Sequence, residues 1–158
     1  MSELDARYAR GQETRRMFGG GTITSAGSAP GAWDVAPDLE LFERGTQLRI
    51  QYMGTPSAAR SAPLTEAERA FNRITGEYYW GATWTRPGLD LPSRCLCTMT
   101  CLAALGREGP LRSHIRGALH IGFTQEQVIE VFLHMTLYGG IPFARGAIDI
   151  ANDVFVHG

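Results

Sequence analysis

His114 is the side chain that residue type and neighbours mark first for proton chemistry. In the segment PLRSHIRGALHIG, Leu111, Ile115, Ala118 and Leu119 share one helix face. His114 follows Leu111 by three and precedes Ala118 by four, so it lies on or beside that face, while Arg112 and Arg116 point more outward. A buried or half-buried imidazole titrates near neutrality and can serve as acid or base. The same placement suits a core histidine bonded to a backbone carbonyl, and the spacing alone leaves both readings open.

A second constellation follows on the next helical stretch. Glu130, His134 and Tyr138 are spaced four apart, which stacks a carboxylate, an imidazole and a phenol on one face. Such a stripe can relay a proton, and it can equally be an interface between helices or subunits. Glu and His at this spacing are compatible with a metal, but no HExxH and no Cys/His ligand spacing supports one, so no metal is expected. Arg86, beside Trp84 and the Pro87-Gly88 turn, and Arg94, in a first helical turn, are candidates to hold a substrate carboxylate in bidentate fashion. The competing reading for each is an ion pair with a nearby acid such as Asp90. Cys95, Cys97 and Cys101 make CxC and CxxxC patterns rather than the CxxC of redox dithiols. Cys97 and Cys101 are therefore expected to be small buried hydrophobes.

The elements that must position these groups can be read along the chain. Residues 3 to 18 have a helical pattern that ends at Gly19-Gly20-Gly21. Residues 22 to 36 read as loop, with Trp33 the exception in it. Residues 38 to 53 are ambiguous, since LELFERG suits a helix and QLRIQYM alternates like a strand; mostly helix or ordered loop is the expectation. Residues 54 to 63 read as a linker-like loop. Thr65 and Glu68 form a capping box that starts a helix with Ala67, Ala70, Phe71, Ile74 and Tyr78 on one stripe, ending near Trp80-Gly81. Pro92 opens a helix from about 91 to 105 that is apolar on nearly every side and expected to be buried almost all round. Gly109-Pro110 opens the helix of His114, which Gly122 closes. Thr124 and Gln127 form a second capping box for a helix to about Tyr138, and Pro142 begins the last one. No strand is needed after residue 64.

The 158 residues are enough for one domain with a real core, 1–158. At 44% hydrophobic and 20% charged, the composition is that of a globular protein. A net charge of −1 gives no case for nucleic acid or an anionic membrane surface as partner. No apolar run is long enough to span a bilayer, the charged N-terminal stretch has no apolar signal core, and three crowded cysteines make no disulfide framework, so a cytoplasmic protein is expected.

Taken together these segments resemble the carboxymuconolactone decarboxylase family, within the alkylhydroperoxidase-D-like superfamily. The segments that carry the likeness are YARGQETRRMFGGG, YYWGATWTRPGLDLPSRCL and LRSHIRGALHIGFTQEQVIEVFLHMTLYGGIPFARGA. The likeness covers roughly residues 7–20 and 64–156, with an unmatched insertion at about 22–62. It implies an all-α helical bundle of about six helices, assembled as a homotrimer or homohexamer. It implies cofactor-free loss of CO2 from a small carboxylated lactone or related intermediate of aromatic-compound catabolism. By motif, His114 is then the family's functional histidine, with Glu130 and His134 as further catalytic candidates. Arg86, Arg94, Trp80, Trp84 and Tyr138 are the substrate-binding candidates, the tryptophans as apolar walls that favour charge dispersal. Relatives tend to carry a Glu or Cys four residues before this histidine, where this chain has Pro110, which counts against a thiol peroxidase. The alternatives are an isomerase, cyclase or dehydratase on another carbonyl substrate, then a peroxidase or a non-catalytic binding oligomer.

Overall fold

The computed structural model describes residues 38–54 and 64–158. The expected helix at 3–18, the loop at 22–36 with Trp33, and residues 55–63 of the expected linker lie outside the described residues. Those described form six helices, with no strand among them. They fall into two compact units, one of residues 38–49 and 64–86 and the other of residues 50–54 and 87–158.

Helix α1, Leu39–Met53, settles the ambiguous segment. Asp38 starts it by accepting the Leu41 N–H at 3.0 Å. The alternation of Leu48, Ile50 and Tyr52 suits a strand only where a neighbouring strand can pair, whereas a helix satisfies its own backbone. Gly54 ends it at φ +76°, with its N–H donating to the Ile50 carbonyl at 2.9 Å.

In the first unit, α2 begins at Glu66 behind the expected capping box. The Thr65 N–H donates to Glu68 Oε2 at 2.8 Å and the Glu68 N–H donates to Thr65 Oγ1 at 3.2 Å. The α-winding, Glu66–Ile74, gives way to a wider π-type winding over Thr75–Thr83. Its bonds reach back five residues, as from the Trp84 N–H to the Tyr79 carbonyl at 3.0 Å. The helix therefore outruns the end expected near Gly81. Glycines let this segment meet α1 backbone to backbone. A Cβ on Gly45 would stand 2.5 Å from the Gly81 nitrogen, and one on Gly76 would run into the Phe42 ring. On the stripe of α2, Phe71, Ile74 and Tyr78 are 65%, 44% and 57% exposed.

The second unit packs α3 (Leu91–Ala104), α4 (Glu108–His120), α5 (Gln125–Gly139) and α6 (Ile141–His157) around one core. Asp90 caps α3 through the Ser93 N–H at 2.8 Å, and Thr124 with Gln127 forms the second capping box as expected. The expectation that α3 is buried almost all round needs correction. Only Cys95, Met99 and Ala103 are buried, a single stripe four residues apart. An all-apolar sequence does not say which face its neighbours cover, and α4, α5 and α6 cover this one. Cys97 and Cys101, expected inside, are exposed. No described helix is long and apolar enough to cross a membrane.

Candidate active site

The core of the second unit holds a polar cluster built by three helices. His114 of α4 is only 7% exposed, on the face that also buries Leu111, Ile115 and Ala118. The last turn of α1 brings in Tyr52 and the buried stripe of α3 brings in Cys95, both fully buried. The Tyr52 hydroxyl lies 2.9 Å from His114 Nδ1, 3.2 Å from the His114 carbonyl oxygen and 3.1 Å from Cys95 Sγ. The phenol and imidazole rings are tilted by 47° with centroids 5.4 Å apart.

Local sequence makes room for this contact. Gly117, one turn after His114, is buried where the Tyr52 ring crosses α4. A Cβ there would stand 2.8 Å from Tyr52 Cζ and 3.1 Å from Met53 Sδ. The absence of a side chain at 117 is thus what allows an aromatic ring to lie against the helix backbone.

Burial sets the charge of the cluster. It pushes the His114 pKa down to about 4, because a cation loses hydration there. It pushes the Cys95 thiol up, a shift partly opposed by the bond with Tyr52. Near neutral pH, His114 is a neutral imidazole and Cys95 a thiol. A neutral imidazole offers one N–H donor and one bare nitrogen, and the partner of Nδ1 decides which is which.

The other sequence candidates stand elsewhere. Glu130, His134 and Tyr138 do share a face of α5, but all three are exposed, with the His134 and Tyr138 rings 5.3 Å apart. Arg94 is half-buried in the first turn of α3, its Nε donating to the Leu89 carbonyl at 3.2 Å. Asp90, considered as its ion-pair partner, is the helix cap. In the first unit, Trp80 and Trp84 are buried against each other with centroids 4.8 Å apart, and Tyr79 adds an edge to Trp80 at the same distance. Arg86 follows them and is exposed. Among the described residues no three His, Cys, Asp or Glu side chains gather so as to hold a metal ion.

Sequence reading missed three groups here. Tyr52 lay in the ambiguous segment, and the only signal for it was a helical spacing to Leu48. Cys95 was overshadowed by the Cys97 and Cys101 pair. Glu77 is buried on the π-type segment, where Arg73 Nε donates to it at 3.0 Å; a lone carboxylate carries no sequence signal for burial.

Comparison with known proteins gives the family of the chain. Residues 69–153 match the model of the carboxymuconolactone decarboxylase family. A 4-carboxymuconolactone decarboxylase of Acinetobacter baylyi is 34% identical over 119 residues, which is 75% of this chain and 89% of that protein. A nitrosuccinic acid decarboxylase of Metarhizium robertsii is 33% identical over 105 residues, 65% of this chain and 72% of that protein. An uncharacterized 15.0 kDa protein of Paracoccus denitrificans is 35% identical over 81 residues, 50% of this chain and 60% of that protein. A helical domain, matched over more than half its length and aligned with most of a named decarboxylase, defines the class: the chain belongs to the carboxymuconolactone decarboxylase family. Two of these relatives bear the names of decarboxylases, so carbon–carbon bond cleavage with loss of CO2 is the chemistry associated with this scaffold.

Proposed function

We propose that this protein is a cofactor-independent carboxy-lyase acting on a small carboxylated lactone or a related acid, with His114 as its acid/base group. The observation that carries the proposal is the buried, neutral imidazole of His114, held at Nδ1 in a chain of this family. Loss of CO2 from a carboxylate leaves an electron pair that must be delocalised. In a carboxylated unsaturated lactone it moves onto the carbonyl oxygen as a dienolate; in a nitro acid it moves onto the nitro oxygens. The two substrate names of the decarboxylase relatives share that feature.

In this mechanism the N–H of the neutral imidazole donates a hydrogen bond to the oxygen where charge develops, which lowers the barrier most when water is excluded. The same group then delivers its proton to carbon and regains one from solvent. One proton is consumed and one CO2 released per turnover. Arg86 and Arg94 are proposed to hold a spectator carboxylate, and Trp80, Trp84 and Tyr138 to bound the substrate. Glu130 and His134, exposed in the single chain, enter the reaction through cover by a second subunit. Self-association as a homotrimer or homohexamer belongs to the same proposal. It is supported by Leu133, Leu137, Tyr138 and Ile141, which are exposed on α5 and at the start of α6.

The test is to incubate the protein with a carboxylated lactone and with a nitro-dicarboxylic acid, following CO2 and ultraviolet absorbance together. The expected result is one CO2 for each molecule of one substrate consumed. Absorbance change without CO2 would point instead to isomerisation or dehydration. Light scattering on the purified protein tests the assembly, and a monomer would contradict it.

A further inference from the structure

We propose that Tyr52 is the positioning residue of His114: its hydroxyl donates to Nδ1, fixing the ring in one orientation and one tautomer, with the proton on Nε2. The inference rests on the proposed role of His114 in the reaction.

Hydrogen-bond lengths choose among the ways Tyr52 can spend its single proton. Among the described residues three acceptors lie near its oxygen, at 2.9 Å for Nδ1, 3.1 Å for Cys95 Sγ and 3.2 Å for the His114 carbonyl. An O–H···O bond is normally about 2.5–3.0 Å, so 3.2 Å is long for donation to the carbonyl. The carbonyl, inside α4, also belongs to the helix ladder. Donation to sulfur pairs the hydroxyl with a weak acceptor. The 2.9 Å contact to Nδ1 is the one of ordinary length with a good acceptor. With Nδ1 accepting, a neutral imidazole must carry its proton on Nε2. The Cys95 thiol can then donate to the lone pairs of the Tyr52 oxygen, so all three groups are satisfied without any of them ionising.

The seat is made for this residue. Tyr52 is fully buried, a Cβ at Gly117 would collide with its ring, and Gly54 ends α1 two residues later at φ +76°. Tyr52 also lies outside residues 69–153, the stretch that matches the family model. The element that orients the histidine is therefore contributed by a part of the chain beyond that match. Orientation of a base by a third group is the recurring logic of acid/base sites, and it acts through the ring rather than by touching substrate.

The test is nitrogen-15 NMR of histidine-labelled protein, wild type against Tyr52→Phe, with the resonances of His114 assigned by comparison with His114→Gln. Wild type is expected to show a single Nε2–H tautomer for His114, with Nδ1 shifted as a hydrogen-bond acceptor. Tyr52→Phe is expected to lose that shift and populate both tautomers. Its kcat should fall roughly tenfold at little-changed KM, the loss of one good hydrogen bond expressed in the reaction. A wild-type His114 that is Nδ1–H or a mixture, or a spectrum that Tyr52→Phe leaves unchanged, overturns the proposal. An altered spectrum with unchanged kcat overturns its bearing on the reaction. If Tyr52→Phe does not fold, the wild-type tautomer decides alone. The NMR result needs no substrate, so it stands apart from whether CO2 is released.

Discussion

His114 on α4 and His134 on α5 are two histidines of the same unit, each on a helix stripe with partners at helical spacing. Their surroundings differ. The face of His114 is covered by the end of α1 and by α3, which supply Tyr52 and Cys95 and remove water. The stripe of Glu130, His134 and Tyr138 has the same regularity, yet its three side chains lie at the surface of the chain. Helical spacing decides which residues share a face, and packing decides whether that face becomes a low-dielectric site or a solvated one. The chemical consequence is large, because burial takes His114 down to about 4 and so makes it neutral at working pH.

The largest expected effect concerns charge. In the unfolded chain His114 titrates near its ordinary 6.5, and in the folded chain at about 4. Between those values the unfolded state binds the extra proton, so stability rises with pH through this window and is fully present above about 6.5. The shift is worth about 3 kcal/mol, lost as pH falls from 6.5 toward 4. Urea midpoints across that range should show a steeper dependence in wild type than in His114→Gln. Equal slopes would put the ring in water and erase its contrast with His134.

Next comes the space that Tyr52 occupies. Gly117→Ala forces a Cβ to 2.8 Å from the Tyr52 ring and is expected to cost about 1–3 kcal/mol by denaturant titration. Gly146→Ala on α6 meets nothing within 4 Å and is expected to gain about 0.5–1 kcal/mol from lower chain entropy. Similar losses in both would deny the close seat described for Tyr52.

The cysteines repeat the contrast on one helix. Cys95→Ala is expected to lose about 1 kcal/mol, whereas Cys97→Ala and Cys101→Ala should stay within about 0.5 kcal/mol. Cys97 and Cys101 should react with a thiol reagent in the native state while Cys95 does not. The smallest effects belong to the exposed stripe. In protein diluted to single chains, Glu130→Gln and His134→Gln should each alter unfolding free energy by no more than about 0.5 kcal/mol. A larger loss in the assembled protein is what the proposed cover by a second subunit predicts, and equally small effects in both forms would contradict that cover.

What could be read from the sequence was what is local. Thr65 with Glu68, and Thr124 with Gln127, announce helix starts because a cap is made within four residues. The apolar face of α4 placed His114 correctly for the same reason, and family likeness pointed to the same residue. The partner that fixes the ring was not legible, since Tyr52 and His114 are 62 positions apart and no periodicity links them. The π-type winding over Thr75–Thr83 was also hidden, because apolar spacing does not tell it from an α-helix. The all-apolar look of α3 misled over Cys97 and Cys101 because composition cannot choose between two equally greasy faces.

The most direct test of the central claim, that His114 handles the proton in a decarboxylation, is the rate of CO2 release by wild type and by His114→Ala on the substrate that wild type consumes. His114→Ala is expected to fold, by circular dichroism, with a rate down by about 10²–10⁴-fold. A folded His114→Ala that releases CO2 at the wild-type rate would contradict the claim.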